Sequence, residues 1–117
     1  MLSFPPNVRV YLCRLPTDMR KSFDGLYALA VQVFEKDPLA GHLFLFLNRR
    51  RDRLKALWWD RDGLALFCKR LEAGTYELPH AADDTAGIEM DATQLSLLLN
   101  GIETRSAKRR KRYSPVT

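Results

Sequence analysis

The chain has 117 residues, 46% of them apolar and 28% charged, and its 19 Lys and Arg against 14 Asp and Glu leave a net charge of +5. These are the proportions of a soluble globular protein with one modest core, which excludes collagen-like, disordered and disulfide-scaffold classes. No apolar run approaches the ~20 residues of a membrane-spanning helix, and MLSFPPNVRV lacks the basic-then-apolar order of a signal peptide, so a cytoplasmic domain without membrane contact is expected.

In chain order, Val8 to Cys13 alternates as a short strand. Pro16-Thr17-Asp18 closes it and opens a helix, with Thr17 as N-cap and Asp18 in the first turn. Phe23, Leu26, Tyr27, Ala30, Val33 and Phe34 recur at three- and four-residue steps and form one apolar face, which Asp37-Pro38 ends. Gly25 inside that helix costs ~1 kcal/mol relative to Ala, which points to close packing there. His42 to Leu47 is apolar on both faces of a strand and therefore central. Arg53 to Trp59 and Leu64 to Leu71 are further strands joined by Asp60-Arg61-Asp62-Gly63, a tight-hairpin signature, with a fourth short strand expected near Tyr76. A loop follows over Pro79 to Gly87. Asp91 and Gln94 form a capping-box pattern, Met90 and Leu95 a hydrophobic staple, and Asn100-Gly101 a left-handed end to a second helix, with Ile102 folding back on Leu97. The expected fold is α+β: an antiparallel three- to four-stranded sheet with two helices packed on one face, a single domain over 1–104 and a disordered basic tail over 105–117.

Charge is segregated along the chain. Residues 1–48 carry +1, 49–70 carry +5, 71–104 carry −7 and 105–117 carry +6. Such asymmetry fits either an anionic partner or acidic and basic segments that pair with each other. Chemistry is not signalled. Cys13 and Cys68 are read as buried free thiols, His42 and His80 have no ligand-spaced partners, and no metal or cofactor is expected. Asp18 and Asp24 lie six apart, about 600° around a helix, and so on different faces. Asp60 and Asp62 fit turn chemistry, and no GxSxG, HExxH or P-loop pattern occurs. No catalytic residue is assigned.

The strongest local feature is NRRRDRLKALWWD. Guanidinium groups suit phosphate oxygens, and aromatic rings on a sheet face can stack bases. Arg49, Arg50, Arg51, Arg53 and Lys55 are the nucleic-acid candidates; Lys69 and Arg70 join them if the hairpin is two residues long. Lys108, Arg109, Arg110, Lys111 and Arg112 add a generic basic tail. Arg53, Lys55 and Trp59 are expected on the sheet face away from the helices. Neighbouring tryptophans point to opposite faces, so at least one is buried; Trp58 is read as core and Trp59 as core or partner contact.

Several strings together resemble a known family. They are Thr17-Asp18-Met19-Arg20-Lys21 with Phe23-Asp24-Gly25-Leu26, Gly41-His42 before a Phe-rich strand, Asp52-Arg53-Leu54-Lys55, Leu57-Trp58-Trp59-Asp60 with Asp62-Gly63-Leu64, and Lys69 to Gly74. Over about residues 8–103 the chain is similar to the accessory TnpB (Orf2-like) proteins of bacterial insertion sequences of the IS66 type. The resemblance implies a non-catalytic protein that works beside a separate, larger transposase carrying the strand-transfer chemistry. DNA and that transposase are then the expected partners, with an RNA-binding regulatory role as an alternative. Asp18, Arg20, Lys21 and Asp24, the most distinctive string, are read either as helix-start ion pairs or as a partner-contact surface.

Overall fold

The computed structural model describes residues 8–79 and 85–100. Its elements are β1 (Val10–Cys13), α1 (Phe23–Phe34), a 3-10 turn (Pro38–Ala40), β2 (Leu43–Leu47), β3 (Arg53–Asp60), β4 (Gly63–Arg70), β5 (Gly87–Met90) and α2 (Ala92–Asn100). They form one five-stranded sheet in the order β4-β3-β2-β1-β5. The α+β class holds, but the sheet is mixed rather than antiparallel: β1 and β2 run parallel, with Val10 opposite Leu43, and the other pairs are antiparallel. The cause is α1, because a helix between two neighbouring strands makes them a parallel crossover unit, not a hairpin.

The fifth strand comes from the end of the expected loop. Gly87 to Met90 lies beside β1, with Met90 opposite Val10. The short strand expected near Tyr76 does not form. Gly74 takes a left-handed conformation, φ 74°, and turns residues 71–79 beneath the sheet, where Tyr76 is buried and its N–H donates to the Arg51 carbonyl at 2.7 Å.

The two helices lie on opposite faces, which corrects the expected one-sided packing. Leu26 and Ala30 of α1 cover Tyr11, Cys13, Phe44, Phe46 and Leu57. Leu98 of α2, with Tyr76, covers Leu12, Leu43, Leu45, Leu54 and Ala56. The reason is in β2: all five residues of LFLFL are buried, and a central strand apolar on both faces needs cover on both. Trp58 packs against the α2-side core, as expected.

Helix ends follow local chemistry. α1 begins at Phe23 with Ser22 as N-cap and no side-chain capping bond, and it ends at Phe34 with Glu35 in a left-handed conformation. The N-cap is therefore not Thr17, which is buried, its N–H donating to the Leu47 carbonyl at 2.8 Å. This bond ties residues 14–22 to the end of β2 before the helix can start. Asp37, expected to end the helix, instead caps the 3-10 turn through Leu39 N–H at 2.9 Å. Gly25 fulfils its reading, since a Cβ there would lie 3.3 Å from Lys21 Cβ and Cγ. The capping box of α2 is complete: Asp91 N–H donates to Gln94 Oε1 at 3.0 Å, and Gln94 N–H to Asp91 Oδ1 at 2.7 Å. Met90 and Leu95, the staple pair, share the α2-side core. Gly101 and Ile102 lie outside the described residues.

Candidate functional site

The arginine turn is built on one asparagine. Asn48 Oδ1 accepts from the N–H groups of Asp52 and Arg53, both at 3.0 Å, and its Nδ2 donates to Asp52 Oδ1 at 2.7 Å. Arg51 sits at φ 58°, closing the turn, and its N–H donates to the Asn48 carbonyl at 3.1 Å. Asp52 is held below its ordinary pKa, first by the Asn48 amide and then by Arg50 and Arg53. The turn thus presents Arg49, Arg50 and Arg51 with exposed side chains on a hydrogen-bonded backbone.

The register of β3 and β4 brings more positive charge to the same end of the sheet. The hairpin has a two-residue loop, Asp60 pairing Gly63, so Arg53 stands directly opposite Arg70 and Lys55 opposite Cys68. Like charges opposed across a ladder repel, and Arg70 is drawn to Glu72 at 2.9 Å. Arg53, Lys55, Cys68 and Arg70 alternate onto the α1 side and, with Met19 and Glu72, line an open cleft of about 420 Å³. Lys69 borders the cleft through its strand position, but pairs with Leu54 and directs its side chain to the opposite face. Lys55 Nζ donates to the Lys21 carbonyl at 2.6 Å, tying the cleft wall to the approach of α1. Cys68 is an exposed free thiol, unlike the expected buried one, because it lies beyond the cover of α1; Cys13 is buried. Burial raises the Cys13 pKa, and its thiol donates to the Leu15 carbonyl at 3.5 Å.

The string at 18–24 belongs to this end as well. Arg20 clasps Asp18 through Nε at 3.0–3.1 Å and Nη2 at 2.7 Å, while Arg20 N–H also donates to Oδ1 at 2.9 Å. That clasp lowers the Asp18 pKa to about 2. The ion pair expected at the helix start exists, but it precedes the helix and leaves the Arg20 side chain 91% exposed. Lys21 and Asp24 are exposed too.

The far end of the sheet is acidic on balance, with six carboxylates against Arg9, Lys36 and Arg61. Asp60 and Asp62 sit at the β3–β4 hairpin, Glu35 and Asp37 between α1 and β2, and Glu89 and Asp91 at the end of β5. Strand directions, not sequence blocks alone, separate the poles. Trp59 lies near this acidic end, opposite Leu64, six residues or ~20 Å along the strand from Arg53. Leu57 between them is fully buried beneath α1. The expected open face carrying Arg53, Lys55 and Trp59 is therefore corrected, because α1 occupies its middle and the indole ring and the arginines share no surface.

Sequence reasoning missed the exposure of Leu15 and Phe23, 54% and 44%, on the segment that leads into α1. Phe23 reads as core because it fits the helical spacing, yet as the first residue of α1 it stays 44% exposed. Its signal is Ser22, a good N-cap immediately before it. Lys108, Arg109, Arg110, Lys111 and Arg112 lie outside the described residues. Among the described residues no three His, Cys, Asp or Glu side chains gather as metal ligands, and no helix is long and apolar enough to cross a membrane.

Comparison with known proteins follows the same stretch of chain. The family model for IS66 Orf2-like proteins matches residues 8–109. Two proteins of Sinorhizobium fredii are similar along nearly their whole length. The uncharacterised protein y4hO is 40% identical over 105 residues, 90% of each chain. The uncharacterised protein y4jC is 33% identical over 110 residues, 94% of this chain and 92% of its own. No solved structure matches the chain.

Proposed function

This chain belongs to the IS66 Orf2-like family of insertion-sequence proteins, and on that premise we propose that it serves transposition as a non-catalytic DNA-binding accessory protein. The observation that carries the reading is the convergence of the 14–22 segment, the 48–52 turn and the ends of β3 and β4 on one basic pole. Among the described residues Arg49, Arg51 and Arg53 make no ion pair within 4 Å, so their charge is available to phosphate oxygens. Arg50, Lys55, Arg70 and the tail cations 108–112 extend the grip, and Lys69 reaches it from the other face. Trp59 stands apart from the arginines, which favours backbone contact over base stacking, and so a duplex over single-stranded RNA.

The test is a titration onto element-end and random duplexes at two salt concentrations, with and without residues 105–117. Binding must weaken as salt rises, with log K falling at about −0.9 per phosphate neutralised. Undetectable binding at low salt ends the reading. A second reading, an adaptor docking on the transposase, has Leu15 and Phe23 in its favour, two exposed apolar side chains at the same pole. It requires co-purification with the transposase after nuclease treatment, abolished by Phe23→Ala while DNA affinity is unchanged.

A further inference from the structure

β4 is an edge strand of eight residues, GLALFCKR, twice the length of β5 at the other edge. The phase of its ladder can be read from one bond. Leu71 N–H donates to the Asp52 carbonyl at 2.7 Å, one step beyond the Arg53–Arg70 pair. Bonded and non-bonded pairs alternate along an antiparallel ladder. Leu54 with Lys69, Ala56 with Phe67, Trp58 with Ala65 and Asp60 with Gly63 are therefore the bonded pairs. The backbone N–H and C=O groups of Leu64, Leu66, Cys68 and Arg70 face away from β3.

From Gly63 to Cys68 this edge carries no charge and no proline, the two devices that commonly keep another strand away. Its charges stand only at the ends, Asp60, Arg61 and Asp62 around the hairpin tip, negative on balance, and Lys69-Arg70 at the basic pole. That distribution is complementary to itself when the strand is reversed. We propose that β4 pairs antiparallel with β4 of a second copy of this chain, joining two sheets across a two-fold axis. The register centred on Leu66 sets Leu66 opposite its counterpart and Leu64 opposite Cys68, and brings Asp62 at the turn to Arg70 of the second copy, which exchanges its Glu72 partner for it. Sliding one ladder step towards the C-terminus sets Asp62 against Glu72, acid on acid, so charge selects the Leu66 register. The seam of one strand pair buries less than the roughly 1,200 Å² of a tight interface, which makes the dimer concentration-dependent.

Sedimentation equilibrium of the full chain without nucleic acid tests the proposal apart from any role in DNA binding. Monomer and dimer must exchange across a hundredfold range of concentration. Asp62→Arg, an exposed turn substitution, must raise the dimer dissociation constant by about tenfold through the removal of two ion pairs and new repulsion. Adding Arg70→Asp must restore it. Leu66→Cys in a Cys68→Ser background must give a disulfide-linked dimer, since Cα atoms of a bonded antiparallel pair lie ~5.5 Å apart, within disulfide reach. A chain monomeric at every concentration overturns the proposal. So does an Asp62→Arg protein that associates as well as the parent, or a Leu66→Cys protein that crosslinks only to the transposase.

Discussion

Replacing Arg49, Arg51 and Arg53 together by Gln tests which cations at the basic pole meet phosphate. The pole does not hold equivalent charges. Arg50 faces Asp52 at 3.9 Å, Arg70 pairs with Glu72 at 2.9 Å, and Lys55 bonds the Lys21 carbonyl at 2.6 Å. Arg49, Arg51 and Arg53 make no ion pair or side-chain hydrogen bond of that kind among the described residues. Each phosphate deprived of its arginine lowers the salt slope by about 0.9, so removing three arginines lowers it by about 2.7. Over a fivefold rise in salt the affinity of the parent then falls by roughly 80-fold more than that of the variant. Fluorescence anisotropy on one duplex at four salt concentrations reads this directly, with melting curves confirming that the variant folds. Substituting Arg50, Lys55 and Arg70 by Gln instead must change the slope less, because those groups are already partly compensated. Equal changes for the two triple variants, or an unchanged slope for the first, refute the reasoning.

Three further outcomes follow from the packing and the ion pairs. A Cβ at Gly87 would lie 2.4 Å from Phe34 Cε1, and that ring is wedged against Tyr11 and Phe44 at 5.6 and 5.4 Å. Gly87→Ala is expected to cost about 1–3 kcal/mol, lowering the melting temperature by roughly 4–8 °C per kcal/mol, and Phe34→Leu should recover part of the loss in the double variant. Asp91→Ala removes one half of the capping box and should cost about 1 kcal/mol in chemical denaturation. The Asp18 carboxyl should titrate near 2 by NMR rather than at 3.8, and Arg20→Gln should move it back up. Because the folded value is depressed, the clasp stabilises the fold above pH 3.8 and loses that effect as pH falls towards 2. The acid side of the stability profile should therefore be flatter in Arg20→Gln.

Elements with short-range causes were legible in the amino-acid sequence. The capping box of α2, the two-residue hairpin and the doubly buried β2 each rest on neighbours within a few residues. What escaped depends on distant partners. β5 exists because β1 offers it an edge, and GIEM has little strand signal of its own. Thr17 looks like a helix cap, but the bond from its backbone to Leu47 draws it into the interior. The one-sided helix arrangement conflicts with the expectation that LFLFL is buried on both faces; taking that strand at its word places the helices correctly. For the candidate site, Arg53 and Lys55 stand out in the basic run itself, and Arg70 comes beside them because hairpin register follows from loop length. Trp59 was misplaced because the path of α1 across the sheet is not written in β3.

The parallel pairing of β1 with β2 also sets an order of assembly. β2, β3 and β4 are joined by the turn at 48–52 and a two-residue loop, so their ladders close short loops at small entropic cost. β1 can join only after α1 has crossed the sheet, and β5 only after β1 supplies an edge. The meander is then expected to be the early folding unit, with β1 and β5 joining it later. The arginine turn lies inside the early unit. Opening of the later half would release the 14–22 segment from Leu47 and Lys55 while the 48–52 turn itself kept its shape.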